Sequence, residues 1–271
     1  MSFQTGTAFV MSVILVFSPH LDDAAFSVGP IVAELSDRSE VFVATAFTKS
    51  EPELSEFALA CQLDKGLPAD VDYMAIRRRE DLEWSRRIGA QSVHGVLAEA
   101  PHRGYQSARE LFGSVLPTDK LEDALKVWFE VLISTLKPTA ILCPIGVGNH
   151  IDHLWVREVA RTTLSHRFPL FFFRDLPYAS KLNPFHVEDY LGSSSIWHEL
   201  KVPVSQTAVS KAQFAAEAYQ TQIAFQFGHI GQMKNTLGEA WAQCLPLFYG
   251  HAFAGTEKVS SSMALDHICP A

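Results

Sequence analysis

Five short apolar runs, each separated from the next by enough chain for a helix, set the strongest limit on how this sequence can fold. VILVFS (residues 13–18), VFVATAF (41–47), VHGVLA (93–98), TAILCP (139–144) and PLFFFRD (169–175) are rich in β-branched, aromatic and small apolar residues. Runs with so little polar alternation are what strands need when both sheet faces are covered. Helical spacing is predicted between them, over about 25–36, 74–88, 123–136 and 153–164. A further helix starts at Ser50 with Pro52 and carries Leu54, Phe57, Ala58 and Cys61 on one face. Strands alternating with helices of this length imply an α/β fold, a Rossmann-like doubly wound and mostly parallel sheet with helices on both faces.

Beyond Tyr178 the pattern is less regular. WHELKVPVS (197–205) is expected as a strand near a sheet edge, and SKAQFAAEAYQTQIAFQF (210–227) as one helix. Residues 228–271 mix Gly, Pro and aromatics and read as a C-terminal extension packed on the sheet or on the mouth of a site. No repeat or linker breaks the chain, so residues 1–271 are expected to form one domain, long enough to bury a full core.

Charge narrows the partners. With 30 acidic residues against 22 Lys and Arg, the formal charge is −8, which disfavours nonspecific binding to nucleic acid or an anionic membrane. The densest basic run, IRRREDLEWSRR (76–87), carries acids at helical spacing and reads as a solvated helix face. Cys61, Cys143, Cys244 and Cys269 show no CxxC spacing, so neither a zinc knuckle nor a disulfide framework is indicated. The apolar stretch near the N-terminus lacks a preceding basic region and breaks too early to span a membrane. A soluble, cytoplasmic protein acting on a small molecule is expected, and a homo-oligomer is compatible with it.

Two polar clusters stand where strands end. SPHLDDAAFS places His20, Asp22 and Asp23 directly after the first strand, and PIGVGNHIDHLW places His150, Asp152 and His153 after the fourth. His20 and Asp23 are three residues apart, a spacing that can aim both side chains at one point on a tight turn. In a doubly wound sheet the carboxyl ends of the strands form the site crevice, so distant loops meet there. Three protein ligands and an open position describe a hydrolytic zinc site, and His20, Asp23 and one histidine of the second cluster meet that count. Asp22 then stays free to act on metal-bound water. The plainer reading of either cluster alone is a helix cap or a solvated loop.

These residues carry a resemblance. PHLDDA (19–24) and HIDH (150–153) resemble the two signatures of the PIG-L/LmbE family of zinc-dependent N-deacetylases, an HPDDE-like motif and a later HxDH motif. RRREDLEWSRRIGA, around Glu80 and Gly89, and KAQFAAEAYQTQ are also similar to family helices, so the resemblance spans roughly residues 12–225. It implies that His20, Asp23 and His153 bind the metal, that Asp22 is the general base, and that His150 polarises the amide oxygen. It gives Asp152 the task of orienting its histidine neighbours. It favours one zinc ion per chain, although nitrogen and oxygen ligands also admit iron, cobalt or nickel. The sequence departs from the motif at Leu21, in place of proline, which is expected to loosen the turn, and at Ala24, in place of an acid.

Other polar residues are candidates for substrate contact: Asp175 and Tyr178 after the fifth strand, His102 and Arg103 after the third, and His229 beside two glycines, with His94, Tyr105 and His251 weaker. The resulting expectation is removal of an N-acetyl group from an amino-sugar moiety, free or within a natural product. Competing readings are hydrolysis of a non-acetyl or non-sugar amide at the same site, and a non-catalytic carbohydrate-binding protein. A dinucleotide oxidoreductase is disfavoured, because the first strand ends in PHLDD and not in a Gly-rich phosphate turn.

Overall fold

A computed structural model describes residues 12–181, 185–193, 196–242 and 245–250. Among the described residues, seven strands form one sheet: Val13–Ser18 (β1), Glu40–Phe47 (β2), Gln91–Leu97 (β3), Ala140–Pro144 (β4), Leu170–Phe173 (β5), Trp197–Val202 (β6) and Leu245–Gly250 (β7). Their spatial order is β3-β2-β1-β4-β5-β7-β6. The first five are parallel, and β7 runs antiparallel to both β5 and β6. The order reverses between β1 and β4, which pair with Leu15 opposite Ile141. That switch point is where connections leave in opposite directions and open a crevice. The two polar clusters follow these two strands.

The helices are Asp23–Leu35 (α1), Glu56–Asp64 (α2), Tyr73–Ile88 (α3), Ala108–Leu111 (α4), Glu122–Leu136 (α5), Ile151–Leu164 (α6), Glu188–Leu191 (α7), Gln206–Ala216 (α8), Gln220–Phe227 (α9) and Ile230–Ala242 (α10). One layer packs α1, α3, α8 and α10 together, and another packs α5 on α6. Phe17 of β1 stacks on Phe129 of α5 at 4.1 Å, so the sheet is covered on that side as its apolar strands require. On the other side α1 is buried almost throughout, and Ala208, Ala212, Ala215 and Ala216 of α8 let it pack closely.

Helix α1 holds Pro30, which cannot donate to the carbonyl of Phe26 four residues earlier. The indole N–H of Trp241 from α10 donates to that carbonyl at 2.9 Å. The local defect therefore becomes an anchor for α10. Close approach dictates glycine at one sheet position: a Cβ at Gly95 would lie 2.4 Å from the Ala46 carbonyl oxygen, beside the irregularity between β2 and β3.

Four expectations need correction. The helix expected to start at Ser50 is instead capped by the Ser55 hydroxyl, which accepts from the Ala58 N–H. The helix expected over 210–227 is two helices, broken at Glu217–Tyr219, where the chain turns so that Tyr219 is buried and its hydroxyl donates to Asp81 at 2.7 Å. The edge strand ends at Val202, before Pro203, and is the outermost strand beside β7. Of residues 228–271, expected to pack on the sheet or on the mouth of a site, 230–242 form α10 and 245–250 form β7, a strand within the sheet itself. Pro246 and the short LPLFYG run hid that strand from pattern reading. His251 and the chain beyond it lie outside the described residues.

Candidate active site

The turn after β1 is held by its own side chains. Ser18 Oγ donates to the His20 carbonyl at 2.6 Å and accepts from the Ala24 N–H at 3.2 Å. The His20 N–H donates to Asp23 Oδ2 at 2.7 Å. Leu21, where proline was expected, is buried in the core, and these bonds rather than a ring fix the turn, so the expected loosening is not observed. Ala24 is also buried.

Asp22 sits at the N-cap of α1 yet makes no side-chain cap bond. Its carboxylate turns inward instead. Arg77 Nη2 donates to Oδ1 at 2.9 Å and Gln226 Nε2 donates to Oδ2 at 2.7 Å. Burial pushes its pKa up against the opposing pull of Arg77, and the neighbouring Asp23 adds to the rise. A raised carboxylate beside a candidate metal is better matched to proton transfer than an ordinary aspartate.

Across the switch point, His150 caps α6, its Nδ1 accepting from the Asp152 N–H at 3.2 Å. Burial, reinforced by the charge of His20, lowers its pKa to about 3, so the ring is neutral. A neutral ring that accepts at Nδ1 carries its proton on Nε2, which makes His150 a hydrogen-bond donor through that nitrogen.

Three donor atoms form a tight triangle. His20 Nδ1 lies 3.3 Å from Asp23 Oδ2, His153 Nε2 lies 3.2 Å from Asp23 Oδ2, and the two imidazole nitrogens are 3.3 Å apart. An ion bound tetrahedrally at about 2.0–2.1 Å has ligand atoms about 3.3–3.4 Å apart. The triangle fits one face of that tetrahedron. His150 is more loosely placed: with His20 and His153 it makes a group of nitrogens within 4.8 Å of one another.

Each imidazole of the triangle is held from behind by a carboxylate. His20 Nε2 donates to Asp152 Oδ2 at 2.9 Å, and His153 Nδ1 donates to Asp175 Oδ1 at 2.6 Å. This arrangement frees His20 Nδ1 and His153 Nε2 for a metal and fixes both rings. Burial would lower the His20 pKa, but bonds to Asp152 and Asp23 outweigh it and push it up to about 9. Burial would raise Asp23, and His153 with His20 holds it well below the carboxylate range. Asp152 is held low despite burial by Arg103, 2.8 Å from Oδ1, and by His20.

The outer candidates divide. Asp175, expected to face substrate, lies behind His153 with its side chain buried, Oδ2 accepting from the N–H groups of Gly146 and Val147 at 2.8 and 2.9 Å. Arg103 is also committed to the scaffold, donating to Asp119 and pairing with Asp152, while Tyr105 donates to Asp119 as well. His229 is exposed and caps α10, accepting from the Gln232 N–H at 3.2 Å. His94 pairs with Asp81. Tyr178 stays half-buried beside the site, its ring 6.2 Å from that of His153 and 6.1 Å from Phe112, whose ring also faces His150. His102 lines a cleft of about 480 Å³ that reaches Glu99, at the carboxyl ends of β2 and β3.

Sequence reading missed Arg77 and Gln226. Arg77 belongs to the basic run read as solvated, which holds for Arg79 and Arg86. Arg77, however, is buried with Asp81, Trp84 and Ile88 on one face of α3 and also pairs with Glu99. An arginine on the same helical face as Trp84 and Ile88 was the available signal. Gln226 carried none, because its direction depends on the break before α9.

A mostly parallel sheet thus carries, at its switch point, a cluster of histidines and carboxylates that could hold a metal. Residues 15–164 match the family described as GlcNAc-PI de-N-acetylase, PIG-L, and the chain belongs to that family. It is 31% identical over 176 residues to a 2'-N-acetylparomamine deacetylase of Streptomyces fradiae, a match covering 64% of this chain and 60% of that relative's length. Among solved structures, the A40926 pseudoaglycone deacetylase Dbv21 aligns with a TM-score of 0.74 at 26% identity, covering 90% of this chain and 98% of that one. The zinc-inhibited form of teicoplanin deacetylase Orf2 also aligns with a TM-score of 0.74, at 23% identity, over 88% of this chain and 97% of its own. The second likeness bears on the fold alone. Among the described residues, no helix is long and apolar enough to cross a membrane.

Proposed function

We propose that this protein is a zinc-dependent N-deacetylase that removes an acetyl group from an amino-sugar moiety of a natural product. The observation that carries the reading is the donor triangle of His20 Nδ1, Asp23 Oδ2 and His153 Nε2, with edges of 3.2–3.3 Å. When bound there, zinc supplies Lewis acidity toward water and toward the acyl carbonyl. Two imidazoles and one carboxylate suit that ion, and their carboxylate-backed rings cost little further ordering on binding.

The chain's own groups then divide the proton work. Asp22 accepts the proton of the attacking water and returns it to the departing nitrogen, so that amide and water become amine and acetate. His150 Nε2–H donates to the carbonyl oxygen as negative charge builds, a contact typically worth about 3–4 kcal/mol. Asp152 and Asp175 hold the tautomers of His20 and His153. Relatives acting on an acetylated paromamine and on an A40926 pseudoaglycone support an amino-sugar substrate. The cleft beside Glu99 and His102 offers room for the rest of such a molecule, and the Tyr178 ring lies beside His153. A cytoplasmic location, a small-molecule substrate and a single domain belong to the same proposal, and the acidic charge is in keeping with them.

The test is acetate release by zinc-loaded protein from N-acetylated amino sugars and aminoglycoside or glycopeptide conjugates, with Asp22→Asn alongside. Release that disappears in the variant supports the reading. Equal release by both proteins, or none from any substrate with zinc bound, overturns it.

A further inference from the structure

Gln226 stands far from Asp22 in sequence yet meets it in space, and several bonds bring it there. The break before α9 redirects the chain. Glu80 of α3 accepts from both the N–H and the hydroxyl of Thr221 at 2.8 and 2.7 Å, which fixes the start of α9. Gln222 Nε2 donates to the Tyr73 hydroxyl at 2.7 Å, one turn before Gln226. The last turn of α9 then delivers the Gln226 amide to the Asp22 carboxylate.

The two ends of that amide differ. Nε2 donates to Asp22 Oδ2 at 2.7 Å, whereas Oε1 is buried without a hydrogen-bond partner among the described residues. A buried carbonyl oxygen left unpaired opposes stability, and an apolar side chain of similar length would avoid it. Packing alone therefore gives no reason for glutamine at this position. The carboxylate does give one, because it needs a donor and thereby sets which end of the amide faces it.

We propose that Gln226 is a positioning residue for Asp22. Arg77 holds Oδ1 and Gln226 holds Oδ2, so the carboxylate is fixed against rotation by donors from two different helices. Each carboxylate oxygen retains a lone pair beyond the bond it accepts, so the clamp leaves capacity to take a proton. The neutral amide adds a donor without a second positive charge beside the arginine. Loss of this donor lets the carboxylate turn about its Cβ–Cγ bond, and a base misplaced by about an ångström costs up to about a hundredfold in rate. The inference rests on the reading of Asp22 as the general base.

Gln226→Met keeps the length, removes the donor and also removes the unpaired oxygen. With zinc-loaded protein and the best acetylated substrate, kcat is expected to fall about 10- to 100-fold. KM should stay within about twofold, bound zinc should equal that of the wild type, and the melting temperature should change little, because losing the unpaired oxygen offsets losing the donor to Asp22. Gln226→Glu, which turns an acceptor toward Asp22, is expected to lose at least as much kcat and covers the case in which the methionine variant fails to fold. Asp22→Asn is measured in parallel. Full kcat in a folded Gln226 variant while Asp22→Asn is inactive overturns the positioning role alone. A kcat loss that tracks lost zinc or lost melting temperature also overturns it, since that is a structural effect. Retained turnover in Asp22→Asn instead overturns the base assignment on which the role depends.

Discussion

Replacing Asp175 by Asn tests whether the buried carboxylates behind the histidines are part of the metal site. The change is nearly isosteric, so packing is preserved. Asp175 accepts three bonds: one from His153 Nδ1 at 2.6 Å and two from the N–H groups of Gly146 and Val147 at 2.8 and 2.9 Å. An asparagine has one oxygen, and its amide nitrogen only donates. Keeping its oxygen toward the Gly146–Val147 pair leaves one donor unmatched instead of two, so the amide nitrogen is expected to face His153. If the imidazole loses its acceptor, nothing holds the proton on Nδ1, and Nε2 is no longer kept free for a metal. Outer partners of this kind are worth about 10- to 100-fold in metal affinity, or about 1.4–2.7 kcal/mol. The metal-free protein should weaken as well, because an orphaned buried donor costs about 1–3 kcal/mol. Zinc affinity measured by competition with a chromophoric chelator, together with the melting temperature of the metal-free protein, reads both effects. Zinc affinity within twofold of the wild type would refute the assignment of Asp175 as the group that sets the His153 tautomer.

Further outcomes follow from the same geometry. His150→Ala is expected to keep zinc while kcat falls about 100- to 1000-fold, and loss of stoichiometric zinc would show that His150 is a ligand. In the metal-free site His20 is raised to about 9, so at neutral pH zinc must displace a proton from it, whereas Asp23 is already ionised. Apparent zinc affinity should therefore climb about tenfold per pH unit per proton released between pH 6 and 8, and calorimetry showing a flat or falling dependence would contradict the assigned contacts. Arg103→Gln breaks a nearly buried pair with Asp152 and Asp119 and is expected to cost about 3–5 kcal/mol of stability. Urea unfolding with an unchanged midpoint would show that Arg103 is free for substrate.

Much of the site was legible because its logic is local. PHLDD and HIDH each follow an apolar run, and parallel strands deliver whatever follows them to one edge of the sheet. Spacing alone could show neither that β1 and β4 are neighbours nor which nitrogen of each ring faces the metal. Asp175 illustrates the limit: its place at the end of β5 could be read from the sequence, but its role depends on the loop 145–147 folding over it. Arg77 was hidden by charged neighbours, although its register with Trp84 and Ile88 pointed inward. Gln226 and β7 were hidden more deeply. The first depends on a helix break that alanine-rich sequence conceals, and the second on a short strand pairing antiparallel between two others.

The central claim is that two histidines and one aspartate hold the metal while His150 stays a donor. Anomalous diffraction at the zinc edge from crystals of the zinc-loaded protein tests it most directly. The expected result is a single peak about 2.0–2.2 Å from His20 Nδ1, Asp23 Oδ2 and His153 Nε2, with His150 beyond bonding distance. A peak bonded to His20, His150 and His153, with Asp23 left out, would contradict it.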